Sequence, residues 1–251
     1  MARRTKKENR IPIGVPPVEL EHLPRAPLKL AIAQVRFAPV FAVEQAAVVA
    51  DFQAGLGERY LAQAPVRPMD QGQAGAESVW LFRDHEKDWT VSLSATSLAL
   101  EAITYVDFDD FAGELAAILQ TLEGVFEPRQ EVRLGVRYVN RIEDDRLQKR
   151  GVGFFVNEQL TSPVGGDLGG DLQSSLCELR FRERGGHVTI RHGLVEPSTY
   201  LIDFDHFSEG ERDFAPKTIV RRVQRFHALI ERLFVWSISE RYLKELRGAG
   251  K

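Results

Sequence analysis

The segment YLIDFDHF, Tyr200 to Phe207, places two carboxylates and one imidazole directly after an apolar run. Asp203, Asp205 and His206 are residue types that bind metal ions or transfer protons. In a strand, however, the two aspartates share one face and His206 points to the other. The pattern therefore favours the end of a strand, where the carboxylates face water or cap backbone N–H groups. Metal binding and acid–base chemistry at these residues remain alternatives.

Arginine is the second residue type whose spacing suggests a chemical role. In VRLGVRYVNRI (132–142), arginines alternate with apolar residues, which places the arginines on one face of a strand and Tyr138 and Asn140 on the other. The segment ELRFRERGGHVTIRH (178–192) repeats the pattern on a predicted hairpin around Gly185 and Gly186. The candidate binding residues are Arg133, Arg137, Arg141, Arg180, Arg182, Arg191, Tyr138 and Asn140.

Two interpretations of these arginines stay open. In the structural one, they pair with acidic side chains on neighbouring strands, and each surface ion pair contributes about 0–1 kcal/mol. The acidic candidates are Glu178, Glu183, Asp203 and Asp205. In the functional one, the arginines form a binding surface, because the forked guanidinium group matches carboxylate and phosphate.

Composition excludes several classes of protein. The chain has 251 residues, a net charge of −3 and one cysteine, Cys177, which excludes a disulfide framework and a cysteine-based zinc site. It has no apolar run of the roughly 18–20 residues that a membrane span needs, and no signal core follows the basic N-terminus. These features predict a cytoplasmic protein. Because the sequence contains no familiar nucleotide, zinc or serine-nucleophile motif, we expect no cofactor and favour a non-enzymatic function.

Apolar spacing predicts the helices. Residues 43–63 fit one helix whose apolar side chains recur every four positions, at Val48, Phe52, Leu56 and Tyr60. A second helix runs to Phe126, with Asp110 as its expected N-cap. The last helix carries apolar residues spaced 4-3-4-3 between 219 and 233, the strongest helical pattern in the chain.

The order strand, helix, three strands, helix occurs twice, which predicts an internal duplication. The segments DFDDF (107–111) and DFDHF (203–207) are its clearest matching pair. We therefore expect a disordered basic arm at 1–20, a first repeat at 21–128 and a second repeat at 129–245, with both repeats in one compact unit. The expected fold class is α+β: two pseudo-repeats that form a mainly antiparallel sheet with helices on one face.

Three segments carry a resemblance to a known family: LPRAPLKLAIAQVRF near the start, LGVRYVNRI in the middle and YLIDFD before the last helix. They resemble a sporadically distributed, uncharacterised prokaryotic family of similar length with a central LGxRYxNRI motif. The resemblance covers about residues 23–243, implies a stand-alone prokaryotic protein and transfers no activity. Its motif draws attention to Arg137, Tyr138, Asn140 and Arg141. The element order is also similar to duplicated saddle-shaped folds of the TATA-binding-protein type and to effector-binding modules.

These residues lead to three hypotheses of function. The first is a non-enzymatic binding or accessory protein whose arginine-bearing sheet face binds a partner protein or an anionic small molecule. It predicts that Arg137→Ala or Arg182→Ala leaves the fold intact and abolishes binding. The second is a nucleic-acid-binding protein whose affinity falls steeply with salt. The third is an enzyme with a site between the repeats that uses His206, His192 or Asp205 as acid or base. We expect no membrane partner, and a dimer is left open.

Overall fold

A single antiparallel sheet organises the chain. The structure is a computed structural model that describes residues 13–15, 23–66, 78–161, 172–183 and 185–248. Its strands are β1 (Leu28–Phe37), β2 (Tyr60–Val66), β3 (Val79–Asp84), β4 (Trp89–Ser94), β5 (Ser97–Ala102), β6 (Gln130–Glu143), β7 (Cys177–Glu183), β8 (Gly186–Glu196) and β9 (Thr199–Asp213). Within the described residues they form one sheet of nine strands in the order β2-β3-β4-β5-β1-β6-β9-β8-β7. The mixed α+β class and the antiparallel sheet are therefore confirmed.

Three of the helices pack against strands of this sheet. The helices are α1 (Ala46–Leu56), α2 (Phe108–Phe126), α3 (Arg146–Arg150), α4 (Glu158–Thr161), α5 (Pro216–Ser237) and α6 (Glu240–Leu246). Ring pairs join the longest three to the strands: Phe52–Phe82 for α1, Phe111–Trp89 for α2 and Phe226–His206 for α5. The alternate side chains of the strands and the apolar stripes of the helices meet in one hydrophobic core, where each large buried side chain contributes roughly 1.5–3 kcal/mol. In the described ranges, no helix has the length and apolar character needed to cross a membrane.

Strand β6 shows how the alternation of the sequence builds two different faces. Val136 is buried in the core, whereas Arg137 next to it is exposed on the opposite face. Residues paired directly across an antiparallel ladder share a face, so the register extends both surfaces to the neighbouring strand. Val136 lies opposite His206 and Arg137 lies opposite Asp205 on β9. The predicted alternation of residues 132–142 is confirmed.

The predicted helix at 43–63 is wrong beyond Leu56. Helix α1 ends there, and Gly57 follows with φ +89°, a left-handed conformation that favours glycine. Strand β2 then begins at Tyr60. Phe52 and Tyr60 are both buried but on different elements, so the four-residue spacing joined the end of a helix to the start of a strand. Four strands therefore lie between α1 and α2, where three were expected.

The segment DFDHF lies inside a strand, so the predicted strand end at this position is wrong. Strand β9 continues past it to Asp213. Its proposed counterpart DFDDF instead begins α2, where Asp107 Oδ1 accepts a hydrogen bond from the Asp110 N–H at 2.8 Å. Asp107 is the N-cap, and Asp110, the expected cap, lies in the first turn. The two segments that suggested the duplication adopt different structures, and the duplication and its domain boundaries stay predictions.

The predicted β7–β8 hairpin is confirmed, and backbone conformation and close packing explain why glycine occupies positions 185 and 186. Gly185 has φ +102°, which favours glycine. At Gly186, an added Cβ would lie 2.0 Å from the backbone oxygen of Phe207, so a larger residue would push β8 away from β9. The predicted basic arm at 1–20 lies outside the described residues except for 13–15.

Candidate functional site

The sheet face opposite the ring pairs carries the predicted arginines. We call it the arginine face and define it by Arg133, Arg137, Arg141, Arg180, Arg182 and Arg191. These side chains come from strands β6, β8 and β7, and β9, which lies between β6 and β8, contributes Asp203 and Asp205 to the same face. Tyr138 and Asn140 lie on the opposite face of β6, as the alternation predicts. The sequence therefore placed the candidate arginines together correctly, while their role stays a prediction.

Arg137 and Asp203 form an ion pair with two hydrogen bonds. Arg137 Nε and Nη2 donate to the two oxygens of Asp203, each at 2.8 Å. The Asp203 side chain is 2% exposed, whereas the Arg137 side chain is 46% exposed. The hydrogen bond to Asp203 raises the pKa of Arg137, which keeps the guanidinium group charged. The sequence suggested that Asp203 faces water. In the structure it is instead buried below the arginines.

Removing Arg137 is expected to destabilise the fold, contrary to the expectation from the sequence. Arg137→Ala leaves Asp203 as a buried carboxylate whose other arginine contact, Arg191 Nη1, lies 3.5 Å away. We expect a loss of about 2 kcal/mol in the free energy of unfolding, about half of it recovered in Arg137→Ala/Asp203→Asn. Arg141→Ala is the control, because its partner Glu143 is half exposed and an ion pair in contact with water contributes little to stability. Urea unfolding measures all three variants, and a double variant no more stable than Arg137→Ala would contradict the pairing.

Phe207 supports two further arginines. The guanidinium carbons of Arg133 and Arg180 lie 4.7 Å and 5.3 Å from its ring centre, within the range of cation–π attraction. Arg133 Nη2 also lies 3.7 Å from Asp205 Oδ2. Burial raises the pKa of Asp205, and the charge of Arg133 opposes that rise. Two side chains of β9 thus hold these guanidinium groups in place.

A depression of about 450 Å³ lies at the edge of the arginine face, beside the β7–β8 hairpin. It is lined by Arg182, Gly185, Gly186, His187, Glu209 and Arg212. Nδ1 of His187 is shielded from solvent and forms no hydrogen bond with any described residue. Two arginines and one imidazole around a single carboxylate form a lining that can accept an anionic group.

The residues considered as acid, base or metal ligands do not converge. The His206 ring stacks on Phe226 of α5 at 3.9 Å, on the sheet face opposite Asp203 and Asp205. His192 lies on that same helix-contacting face, where its Nδ1 is 2.8 Å from the Tyr200 hydroxyl. Burial lowers the pKa of His206 to about 4, so the ring is neutral near neutral pH. The geometry does not bring these side chains together for a shared metal ion or a proton transfer.

Comparison with known proteins does not suggest a function, so any inference about function depends on the geometry of the two sites. No protein-family model matches the chain, and no curated protein matches its sequence. The resemblance to a prokaryotic family through LGxRYxNRI stays a prediction.

Tyr138 and Asn140 of that motif line a second site, which we call the junction cavity. It has a volume of about 470 Å³ and lies between β6, the start of α2 and helix α5. The Tyr138 hydroxyl lies 2.8 Å from His227 Nδ1 and 3.4 Å from the Tyr105 hydroxyl. His227 Nε2 in turn lies 3.2 Å from Glu231 Oε2. Burial raises the pKa of Tyr138 well above its usual value, so its hydroxyl stays protonated.

Sequence reasoning missed His227, Glu231 and Tyr105. The signal that was available is the four-residue spacing of His227 and Glu231 on α5, which places both on one side of the helix. Nothing in the sequence joins them to Tyr138, which lies 89 residues away from His227 along the chain.

Proposed function

We propose that the protein is a non-enzymatic binding protein whose arginine face takes an anionic group of a partner protein or of a small molecule. The observation that carries this proposal is the depression lined by Arg182, His187 and Arg212 at the edge of that face. Guanidinium groups present forked donors that match carboxylate and phosphate oxygens, and such charged hydrogen bonds are stronger than neutral ones.

The fixed positions of the arginines support the proposal. Two of the five N–H donors of Arg137 bond to Asp203, and the side chain still reaches solvent with its remaining donors. Arg133 and Arg180 are oriented by the ring of Phe207. Side chains that are already ordered lose less entropy when they bind, so each contact contributes more to affinity.

Charge compensation favours a protein or a small anion over nucleic acid. Asp203 pairs with Arg137 at 2.8 Å, and Asp205 lies 3.7 Å from Arg133. Glu178 accepts a hydrogen bond from Arg191 at 2.7 Å. These carboxylates weaken the long-range positive field on which nucleic-acid binding depends. A steep loss of affinity with salt would favour the nucleic-acid alternative.

Arg182→Ala is expected to weaken the binding of inorganic phosphate at least about tenfold, because one charged hydrogen bond contributes about 1.5–3 kcal/mol. The measurement is a phosphate titration at low salt, followed by the NMR signals of the arginine side chains. Arg83→Ala is the matched control, since Arg83 is an exposed arginine of β3 on the same sheet face. Equal phosphate affinity in the wild type and in Arg182→Ala would overturn the proposal, as would an equal loss in the control.

We also propose that the fold consists of two pseudo-repeats. Read outwards from its centre, the sheet runs β1, β5, β4, β3 on one side and β6, β9, β8, β7 on the other. A long helix follows β5 and another follows β9. This order supports two pseudo-repeats, with β2 as an additional strand of the first and with the helices on one face. We also propose a cytoplasmic location, on the strength of the single cysteine.

A further inference from the structure

The junction cavity differs in its chemistry from the arginine face. Much of its wall is apolar, formed by side chains such as Leu23, Leu28, Ile230 and Phe234. The polar part of the lining includes Asp107, Asp109 and Glu231, and no lysine or arginine among the described residues reaches it. An apolar cavity with convergent polar groups is the common form of a small-molecule site, and about 470 Å³ lies within the usual size of such sites.

The contacts of His227 place the Glu231 carboxylate in the lining of the cavity. His227 Nδ1 is bonded to the Tyr138 hydroxyl, and the ring lies flat against Phe108 at 3.8 Å. The orientation of the imidazole is therefore held from two sides. Glu231 Oε2 lies 3.2 Å from His227 Nε2 and is shielded from solvent, whereas the Glu231 side chain as a whole is 32% exposed and lines the cavity. A carboxylate that lines a largely apolar cavity favours a positively charged ligand group.

The aromatic rings favour the same kind of ligand. Tyr105, Tyr138 and Phe108 line the cavity beside Glu231. The faces of such rings attract cations, and the attraction is stronger where water is excluded. Asp107 and Asp109, exposed at the start of α2, add negative charge near the cavity. Asn140, Gln224 and His227 also line the cavity, but the lining contains three carboxylates and, among the described residues, no lysine or arginine, which favours a cation over an anion.

We propose that the junction cavity binds a small organic cation, an ammonium group on an apolar body. The ammonium group donates to Glu231 and lies against the rings of Tyr105 and Tyr138, while the apolar body packs against Ile230 and Phe234. This site is separate from the arginine face, because it lies on the opposite side of β6. The inference therefore does not rest on the proposed function of the arginine face.

The test compares three probes of one shape by titration calorimetry at pH 7.5: 4-phenylbutylamine, 4-phenylbutan-1-ol and 4-phenylbutanoate. We expect the amine to bind at least tenfold more tightly than the alcohol, and the carboxylate to bind most weakly. Glu231→Gln keeps the shape of the side chain and removes its charge, so it is expected to weaken amine binding about tenfold and to leave the alcohol unchanged. Glu123→Gln, at an exposed position of α2 outside the cavity, is the matched control and is expected to change nothing.

A second variant locates the site independently of charge. Ala228→Phe places a ring into the cavity lining and is expected to abolish the binding of both amine and alcohol. Amine binding at wild-type affinity in this variant, or in Glu231→Gln, would overturn the proposal. So would an amine that binds no more tightly than the alcohol. Phosphate binding at the arginine face is measured with a different probe. The two proposals can therefore fail or succeed independently of each other.

Discussion

Arg222→Met is expected to lower the free energy of unfolding by about 4 kcal/mol. Arg222 of α5 is 8% exposed and donates from Nη1 to both oxygens of Glu131, at 2.6 and 2.7 Å. Its Nη2 donates to the Ser208 hydroxyl of β9. The Glu131 side chain is 1% exposed, so loss of the arginine leaves a carboxylate buried without its main partner. Arg222 thus connects α5 to both β6 and β9, so its removal weakens the packing of all three elements.

Urea unfolding tests this expectation with a matched control on the same helix. Arg221→Met removes a neighbouring, exposed arginine and is expected to change stability by less than about 0.5 kcal/mol. Glu131→Met/Arg222→Met removes both charges and is expected to be more stable than Arg222→Met alone, because no unpaired charge remains. Equal effects of Arg221→Met and Arg222→Met would show that the buried pair does not stabilise the fold.

Acidification from pH 6.5 to pH 4 is expected to destabilise the protein by about 3 kcal/mol through His206 alone. The pKa of His206 is lowered to about 4 in the folded state by burial, while an unfolded histidine titrates near 6.5. Between these values the unfolded state binds a proton that the folded state does not. Stability is therefore complete above about pH 6.5 and falls as the pH falls towards 4. Burial also lowers the pKa of His192, which acts in the same direction.

Comparison with His206→Phe isolates this contribution. The substitution keeps a ring against Phe226 and removes the titrating group, so the fall in stability between pH 6.5 and 4 is expected to be about 3 kcal/mol smaller. A difference between two curves is needed, because burial raises the pKa of Asp205 and Glu101 and gives them the opposite dependence. His85→Gln, at an exposed position, is the control. Parallel curves for the wild type and His206→Phe would contradict a neutral buried imidazole.

Much of the architecture was predictable because it depends on local spacing. The alternation in residues 132–142 identified both faces of β6, and the apolar stripe between 219 and 233 identified α5. Prediction failed where one spacing spanned two elements. Phe52 and Tyr60 fit one helical face, yet the chain turns at Gly57 and enters β2. A glycine in a helical pattern predicts a break only weakly.

The functional chemistry was less predictable, because it depends on contacts between distant segments. Asp203 could be placed on the arginine side of β9, but its burial below Arg137 depends on the register of β6 against β9. The sequence suggested His206 as an acid, a base or a metal ligand, whereas in the structure its ring packs against Phe226. Tyr138 was singled out by its motif, while its partner His227 lies on a helix that the sequence alone does not place beside it.

Native mass spectrometry of gently purified protein, with the 260/280 nm absorbance ratio recorded, tests the central claim most directly. The sample is purified in parallel as wild type, Arg182→Ala and the control Arg83→Ala. We expect a bound acidic protein or small anion in the wild type and the control, its loss in Arg182→Ala, and an absorbance ratio typical of protein. A partner that stays bound to Arg182→Ala at the wild-type level, or a ratio that shows bound nucleic acid, would contradict the arginine face as a site for a protein or a small anion.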